Sequence, residues 1–185
     1  MYNSAQLSVI IHKMAEEITT QQLSDPILIG IHTGGVWLAE RLQEHLKLAY
    51  PIGTLDISFY RDDFSQVGLN PEVKASNLPL AVDNRNIILV DDVLHSGRTI
   101  RAGLNEIFSY GRPSRVFLAV LIERPGRELP IQADVIGQSL DLADNEEAKL
   151  SNTDGELELN VIAIAPARFD SSPGRAGTGH TGADQ

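Results

Sequence analysis

The stretch Ile87-Ile88-Leu89-Val90-Asp91-Asp92-Val93-Leu94-His95-Ser96-Gly97-Arg98-Thr99 carries the residue types best suited to chemistry. Four apolar residues precede two adjacent acids, and a short run with Ser96, Gly97 and Thr99 leads into a helical period. Carboxylates paired at a strand end can take the neighbouring 2- and 3-hydroxyls of a ribose. The start of a helix exposes N–H groups that have no partner within the helix. Nearby hydroxyls and a residue without a side chain turn such a start into a phosphate cradle. Gly97 lets the backbone come close, and Ser96 and Thr99 add donors. One motif would therefore grip both ends of a ribose 5-phosphate. An Asp-Asp pair alone would read more simply as solvated charge ahead of a capped helix; the order of the whole stretch argues for the site. No G-x-x-x-x-G-K-[ST] occurs, so a Walker loop is excluded; the one G-x-G-x-x-G, at 177–182, lies in the Gly/Ser-rich tail with no apolar strand before it and so is no dinucleotide fingerprint.

The elements that must hold this motif follow from periodicity. Leu7, Ile10, Ile11, Met14 and Ile18 lie at helical spacing, with Lys13, Glu16 and Glu17 opposite, and predict an amphipathic helix over Ser4–Gln21. Ile27–Ile31 predicts a buried strand, His32–Gly35 a polar turn, and Val36–Leu48 a second helix. Ile52–Tyr60 alternates like a strand. Residues 61–84 carry little periodicity, and a connection of that length is commonly functional. Ile87–Val90 predicts a buried strand. Thr99–Tyr110 predicts a helix that ends at Gly111 with Pro113 beyond it. Val116–Ile122, Asp134–Ile136 and Val161–Ile164 predict further strands, and Asp144–Glu147 a solvated loop. Strand and helix alternate, so an α/β fold is expected, with a largely parallel central sheet flanked by helices. Ligands bind such sheets beyond the carboxyl ends of the strands. The turns 32–35 and 91–98 both fall there.

Composition sets the bounds. The 185 residues are 42% hydrophobic and 22% charged, as in an ordinary globular chain. One domain over residues 1–170 is expected, with the Gly/Ser-rich residues 171–185 as a disordered tail. Cysteine is absent, which removes disulfides, thiolate nucleophiles and Cys-ligated zinc. No apolar run is long enough to span a bilayer, and no basic segment leads into an apolar block, so a cytoplasmic location without membrane attachment is expected. The formal net charge of -10 gives an average field that repels nucleic acid. His12, His32, His45, His95 and His180 lack metal-ligand spacing.

The segment Ile87–Thr99 resembles the signature by which type I phosphoribosyltransferases bind PRPP, the diphosphate-activated ribose. Three further stretches narrow the likeness: Gly30-Ile31-His32-Thr33-Gly34-Gly35, Asp56-Ile57-Ser58-Phe59-Tyr60-Arg61-Asp62-Asp63, and Tyr110 to Pro113 with Arg127-Glu128-Leu129-Pro130. They resemble the PyrR family, pyrimidine operon regulators that also act as uracil phosphoribosyltransferases. The similarity runs from about residue 5 to 165. It implies a type I phosphoribosyltransferase fold with a flexible loop and a small hood region. It also implies a homodimer or higher homo-oligomer, and a protein that binds PRPP, uracil and UMP or UTP. Asp91 and Asp92 would hold the ribose hydroxyls, with Mg2+ bound mainly through PRPP. His95, Ser96, Gly97, Arg98 and Thr99 would hold the 5-phosphate, and His32, Thr33, Gly34 and Gly35 the pyrophosphate. Arg61 matches an arginine at the base of the flexible loop, and residues 61–78 would close over PRPP and exclude water.

Two departures stand out. The pyrophosphate loop of relatives commonly reads Thr-Arg-Gly, and Gly34 replaces that cation here. His95 stands where purine phosphoribosyltransferases carry a catalytic Asp. A histidine there can act as a base, and packing of the loop is the simpler role. The alternative to an enzyme is an RNA-binding attenuator that senses UMP or UTP. Members of the family recognise a leader RNA through a basic face. Arg124 and Arg127 lie in the matching region as possible RNA or base contacts, but Gln132 and Gln138 are uncharged. Trp37 is expected to pack its helix on the sheet, and Arg112 is read as a turn residue.

Overall fold

The computed structural model describes residues 1–57 and 76–164. Its elements run α1 (Ser4–Thr20), β1 (Ile27–Ile31), α2 (Gly34–Leu46), β2 (Gly53–Leu55), β3 (Asn86–Leu94), α3 (Arg98–Tyr110), β4 (Arg115–Glu123), β5 (Val135–Ser139), β6 (Glu146–Thr153) and β7 (Glu156–Ala163). Five strands form a wholly parallel sheet in the order β2-β1-β3-β4-β5, and β6 and β7 form a separate antiparallel pair. The expected α/β fold with a parallel sheet flanked by helices is what the chain adopts.

Alternation along the strands divides the core. Leu28, Ile88, Val90, Phe117 and Ala119 face α1 and α2, and the β6–β7 pair closes that layer with Ala148, Leu150, Leu157 and Leu159. Ile27, Ile29, Ile31, Ile87, Leu89, Leu118 and Val120 face the other way, onto Ile100, Ala102 and Ile107 of α3. Central strands covered on both faces must be apolar throughout, which is why β1 has no alternation to read. Trp37 packs against the first of these layers. The first helix begins as its composition suggests: Gln6 N–H donates to Asn3 Oδ1, and Asn3 N–H donates to Gln6 Oε1, both at 3.0 Å.

Five expectations are revised. Strand β3 extends through Leu94, so Asp91 and Asp92 lie within a strand and not after it. Its pairing with β4 continues to Leu94↔Glu123, which keeps the backbone extended past the acids. Helix α2 starts at Gly34, so half of the expected turn 32–35 is helix. Glu146 and Glu147, expected in a solvated loop, open β6, and β7 is longer than the Val161–Ile164 expected for it. The β2 strand is three residues long, and the described end of the expected loop is tied to it by Thr54↔Asn77. Ser58–Arg61, residues 62–75 and the expected tail 171–185 lie outside the described residues.

Candidate functional site

The carboxyl ends of β1, β3 and β4 lie side by side in the parallel sheet, so the segments that follow them converge. Glycines bring two of these segments together. A Cβ on Gly35 would stand 2.5 Å from the Val90 carbonyl oxygen and 3.0 Å from Asp91 Cα. Only a residue without a side chain lets the start of α2 rest on β3 this closely. A Cβ on Gly34 would overlap the Asp92 carboxylate. The turn 32–35 and the acid pair, distant in sequence, are thus in direct contact. His32 and Thr33 are joined by a cis peptide bond, and His32 N–H donates to the Leu55 carbonyl at 2.9 Å.

The acids are held by their own backbone. Asp92 N–H donates to Asp91 Oδ1 at 3.0 Å, and Val93 N–H donates to Asp92 Oδ1 at 3.1 Å. Asp91 is 3% exposed, the one polar side chain in the buried core of the described residues. The strand then turns at His95–Gly97. Gly97 sits in the left-handed region with φ 88° and caps α3, where glycine is favoured. The Ser96 carbonyl accepts from Glu128 and Leu129 N–H, both at 3.1 Å, and the Arg124 N–H donates to the Leu94 carbonyl at 3.0 Å. The segment after β4 therefore buttresses the loop from behind.

Asp91, Asp92, His95, Ser96, Gly97 and Thr99 share one cleft of about 210 Å³ with Arg124, Glu147 and Ala148. The sequence grouped the first six; Glu147 and Ala148 went unseen because β6 did. The signal was present, since Ala148 and Leu150 alternate with Glu147, Lys149 and Ser151. Arg98 behaves differently from its neighbours. Its Nε donates to Glu128 Oε2 at 2.7 Å, outside the cleft lining, and its N–H donates to Ser96 Oγ at 3.3 Å. Arg61 falls outside the described residues.

A second, larger cleft of about 500 Å³ adjoins the first and shares Leu94, His95 and Arg124 with it. Arg127, Gln132, Ser139 and Asp141 complete much of its lining. Arg124 is the strut of the wall between the two. Its Nη1 donates to the Glu146 carbonyl at 2.7 Å and its Nη2 to the Ala143 carbonyl at 3.3 Å. Its Nε is buried without a hydrogen-bond partner among the described residues. His95 also lines both clefts, and a Cβ on Gly126 would meet its Nε2 at 2.5 Å. Partial burial, and after it the Arg124 guanidinium, holds the His95 imidazole below the usual histidine range. His95 therefore stands neutral at neutral pH.

Metal binding can be judged from the donors. The acid pair offers hard oxygen ligands, and among the described residues no cluster of three or more His, Cys, Asp or Glu could hold an ion unaided. Two carboxylates with nothing further fit Mg2+, which usually takes one or two carboxylates and completes its shell with substrate oxygens and water.

Comparisons with known proteins agree with this geometry. Residues 2–150 match the family model for the phosphoribosyl transferase domain. The chain is 55% identical over 153 residues to the bifunctional protein PyrR of Nitrosococcus oceani, covering 82% of this chain and 86% of that one. It is 49% identical over 161 residues to the bifunctional protein PyrR of Pseudomonas syringae pv. tomato, covering 84% and 95%. Among solved structures, a hypoxanthine-guanine phosphoribosyltransferase of Bacillus anthracis superimposes with a TM-score of 0.63 at 20% identity, over 76% of this chain and 82% of that one, which speaks for the fold alone. An acid pair running into a glycine-opened helix start, on a parallel sheet whose sequence matches along most of its length, places the chain in the phosphoribosyltransferase domain family and, within it, in the PyrR family.

Proposed function

We propose that this protein is a uracil phosphoribosyltransferase, converting uracil and PRPP to UMP and pyrophosphate. The same pocket would sense UMP or UTP in regulating pyrimidine biosynthesis genes. One observation carries the reading: a carboxylate pair and a glycine-opened helix start share a single small cleft. That donor set suits a phosphorylated sugar with two free hydroxyls.

In this reading the 5-phosphate lies on the loop His95–Thr99, where the α3 start and the Ser96 and Thr99 hydroxyls donate. Asp91 and Asp92 accept from the 2- and 3-hydroxyls and so fix the ring. The diphosphate meets Thr33, Gly34 and Gly35 at the start of α2, beside His32. The base enters between Val93 and the start of β6, whose Glu147 and Ala148 close the cleft. A ring nitrogen of uracil bonds to the anomeric carbon as the bond from that carbon to the pyrophosphate oxygen breaks, and the proton that nitrogen carried passes to the departing diphosphate or to water. Positive charge develops on the sugar, and the two carboxylates near its hydroxyls stabilise it. Donors at the α2 start stabilise the departing negative charge. Mg2+, held by Asp91 and Asp92 with the substrate, would neutralise further charge on the leaving diphosphate. No covalent nucleophile is required. His95, neutral and packed on Gly126, serves to shape the loop. Arg61 would act with the adjoining loop in closing over PRPP.

Residues 1–170 would form the one phosphoribosyltransferase domain, acting in the cytoplasm as a homodimer or larger homo-oligomer. No helix of the described residues is long and apolar enough to cross a membrane. Leader RNA is the second candidate partner, favoured by Arg127 on the rim of the larger cleft. Arg124 is a weaker candidate for it, because its guanidinium is already committed to two carbonyls.

The test is product formation from Mg2+, PRPP and radiolabelled uracil, orotate, hypoxanthine or guanine in turn. UMP from uracil alone, lost on Asp91→Asn or Asp92→Asn, is the expected outcome. Nucleotide from a purine, or no nucleotide from any base, would contradict it.

A further inference from the structure

Gly34 opens α2, and its backbone makes no demand for glycine, since its φ lies outside the left-handed region. The demand is spatial. A Cβ at position 34 would overlap Oδ2 and Cγ of Asp92 and stand 2.8 Å from Asp92 Cβ. Any larger side chain begins with that same Cβ, an arginine's included. The helix start has uses for the carboxylate. Thr33, its N-cap residue, makes no side-chain capping hydrogen bond, and the first turn holds no acid. A negative charge near these N–H groups is favourable, and Asp92 supplies one from the neighbouring strand. Its other oxygen, Oδ1, is already fixed by the Val93 N–H at 3.1 Å. The carboxylate is thus clamped between its own strand and the gap at Gly34.

We infer that Gly34 is a positioning residue: the space left by its missing side chain is the seat of the Asp92 carboxylate, and positions 34 and 92 act as a pair. The replacement of a cation by glycine in this loop then has a structural purpose. The chain gives up one side-chain contact to the diphosphate and gains a fixed orientation for the acid that holds the ribose. The inference deepens the proposed function and rests on the reading of this cleft as the PRPP site.

A double-mutant cycle tests it. Wild type, Gly34→Ala, Asp92→Gly and the double variant are titrated calorimetrically with Mg2+ and PRPP, and their thermal midpoints are measured. Asp92→Gly removes all three atoms that the alanine methyl would meet. Gly34→Ala alone should weaken PRPP binding about tenfold, within the usual coupling of residues in contact. In the Asp92→Gly background it should change binding by less than about twofold. An equal loss in both backgrounds overturns the pairing. Should Gly34→Ala fail to fold, adding Asp92→Gly should restore folding and raise the midpoint; a double variant no more stable than Gly34→Ala overturns the inference as well. Should wild type bind no PRPP, the proposed function fails, while coupled midpoints would still uphold the pairing and additive ones would still sink it.

Discussion

The two adjoining clefts differ in almost every respect except the wall they share. The larger, about 500 Å³, is lined by side chains of mixed character: Arg127, Gln132, Ser139 and Leu140 beside Glu123 and Asp141. The smaller, about 210 Å³, holds Asp91 and Asp92, the loop Ser96–Gly97 and the first turn of α3. Volume would favour the first as a ligand site, whereas donor chemistry favours the second. In the smaller cleft the polar groups converge and are fixed by backbone bonds of 3.0 and 3.1 Å. Convergent groups held on rigid elements are what binding a small charged molecule requires. The larger cleft has no comparable focus among its described residues.

The largest effect that could break this comparison comes from the acid pair. Asp91→Asn or Asp92→Asn should lower kcat/KM for uracil on the order of 10²–10³-fold, as for the loss of one group that stabilises transition-state charge. Circular dichroism should be unchanged. An equal loss from Arg127→Ala would move the chemistry to the other cleft.

The shared wall comes next. Arg124→Ala removes the donors to the Ala143 and Glu146 carbonyls. The lost charged hydrogen bonds, partly replaced by water, should cost about 1–2 kcal/mol of stability, read from denaturant midpoints. Because β6 then loses its anchor, KM for the base should rise more than KM for PRPP.

His95, which also lines both clefts, sharpens the contrast in another way. If it only packs, His95→Phe keeps most of the activity; a loss of a hundredfold or more in kcat would make it a base. Its titration gives a second readout. Partial burial and Arg124 hold its pKa below the ordinary 6.5. The unfolded chain therefore takes up this proton more readily than the folded one. Stability should be complete above the ordinary range and decline as pH falls through it. Midpoints measured from pH 7 down to about pH 5 should fall less steeply in His95→Phe. The smallest effect is expected at the rim: Arg127→Ala should alter UMP formation by less than about twofold, as is usual for an exposed side chain. Any binding of a pyrimidine leader RNA should weaken in that variant and weaken further with salt.

What the sequence disclosed follows the same division. The segment Ile87–Thr99 was readable because strand, acids, glycine and helix start are contiguous, and each part has a local physical signature. The span of α1 was readable from its apolar spacing. The wall was not, because it is built from bonds between distant residues: Arg124 to Ala143 and Glu146, His95 against Gly126, Ser96 to Glu128 and Leu129. Nothing local in Gly34 announced Asp92 either, since the reason for that glycine lies on another strand. The extension of β3 past Val90 came from pairing with β4, which outweighs the poor strand preference of two aspartates.

The central claim is that PRPP occupies the smaller cleft, and hydrogen exchange with and without Mg2+ and PRPP tests it most directly. Slowed exchange should appear at Val93–Thr99 and at Thr33–Gly35, with little change over Arg127–Asp141. Protection confined to Arg127–Asp141, with the β3 end and the start of α2 unaffected, would contradict the account.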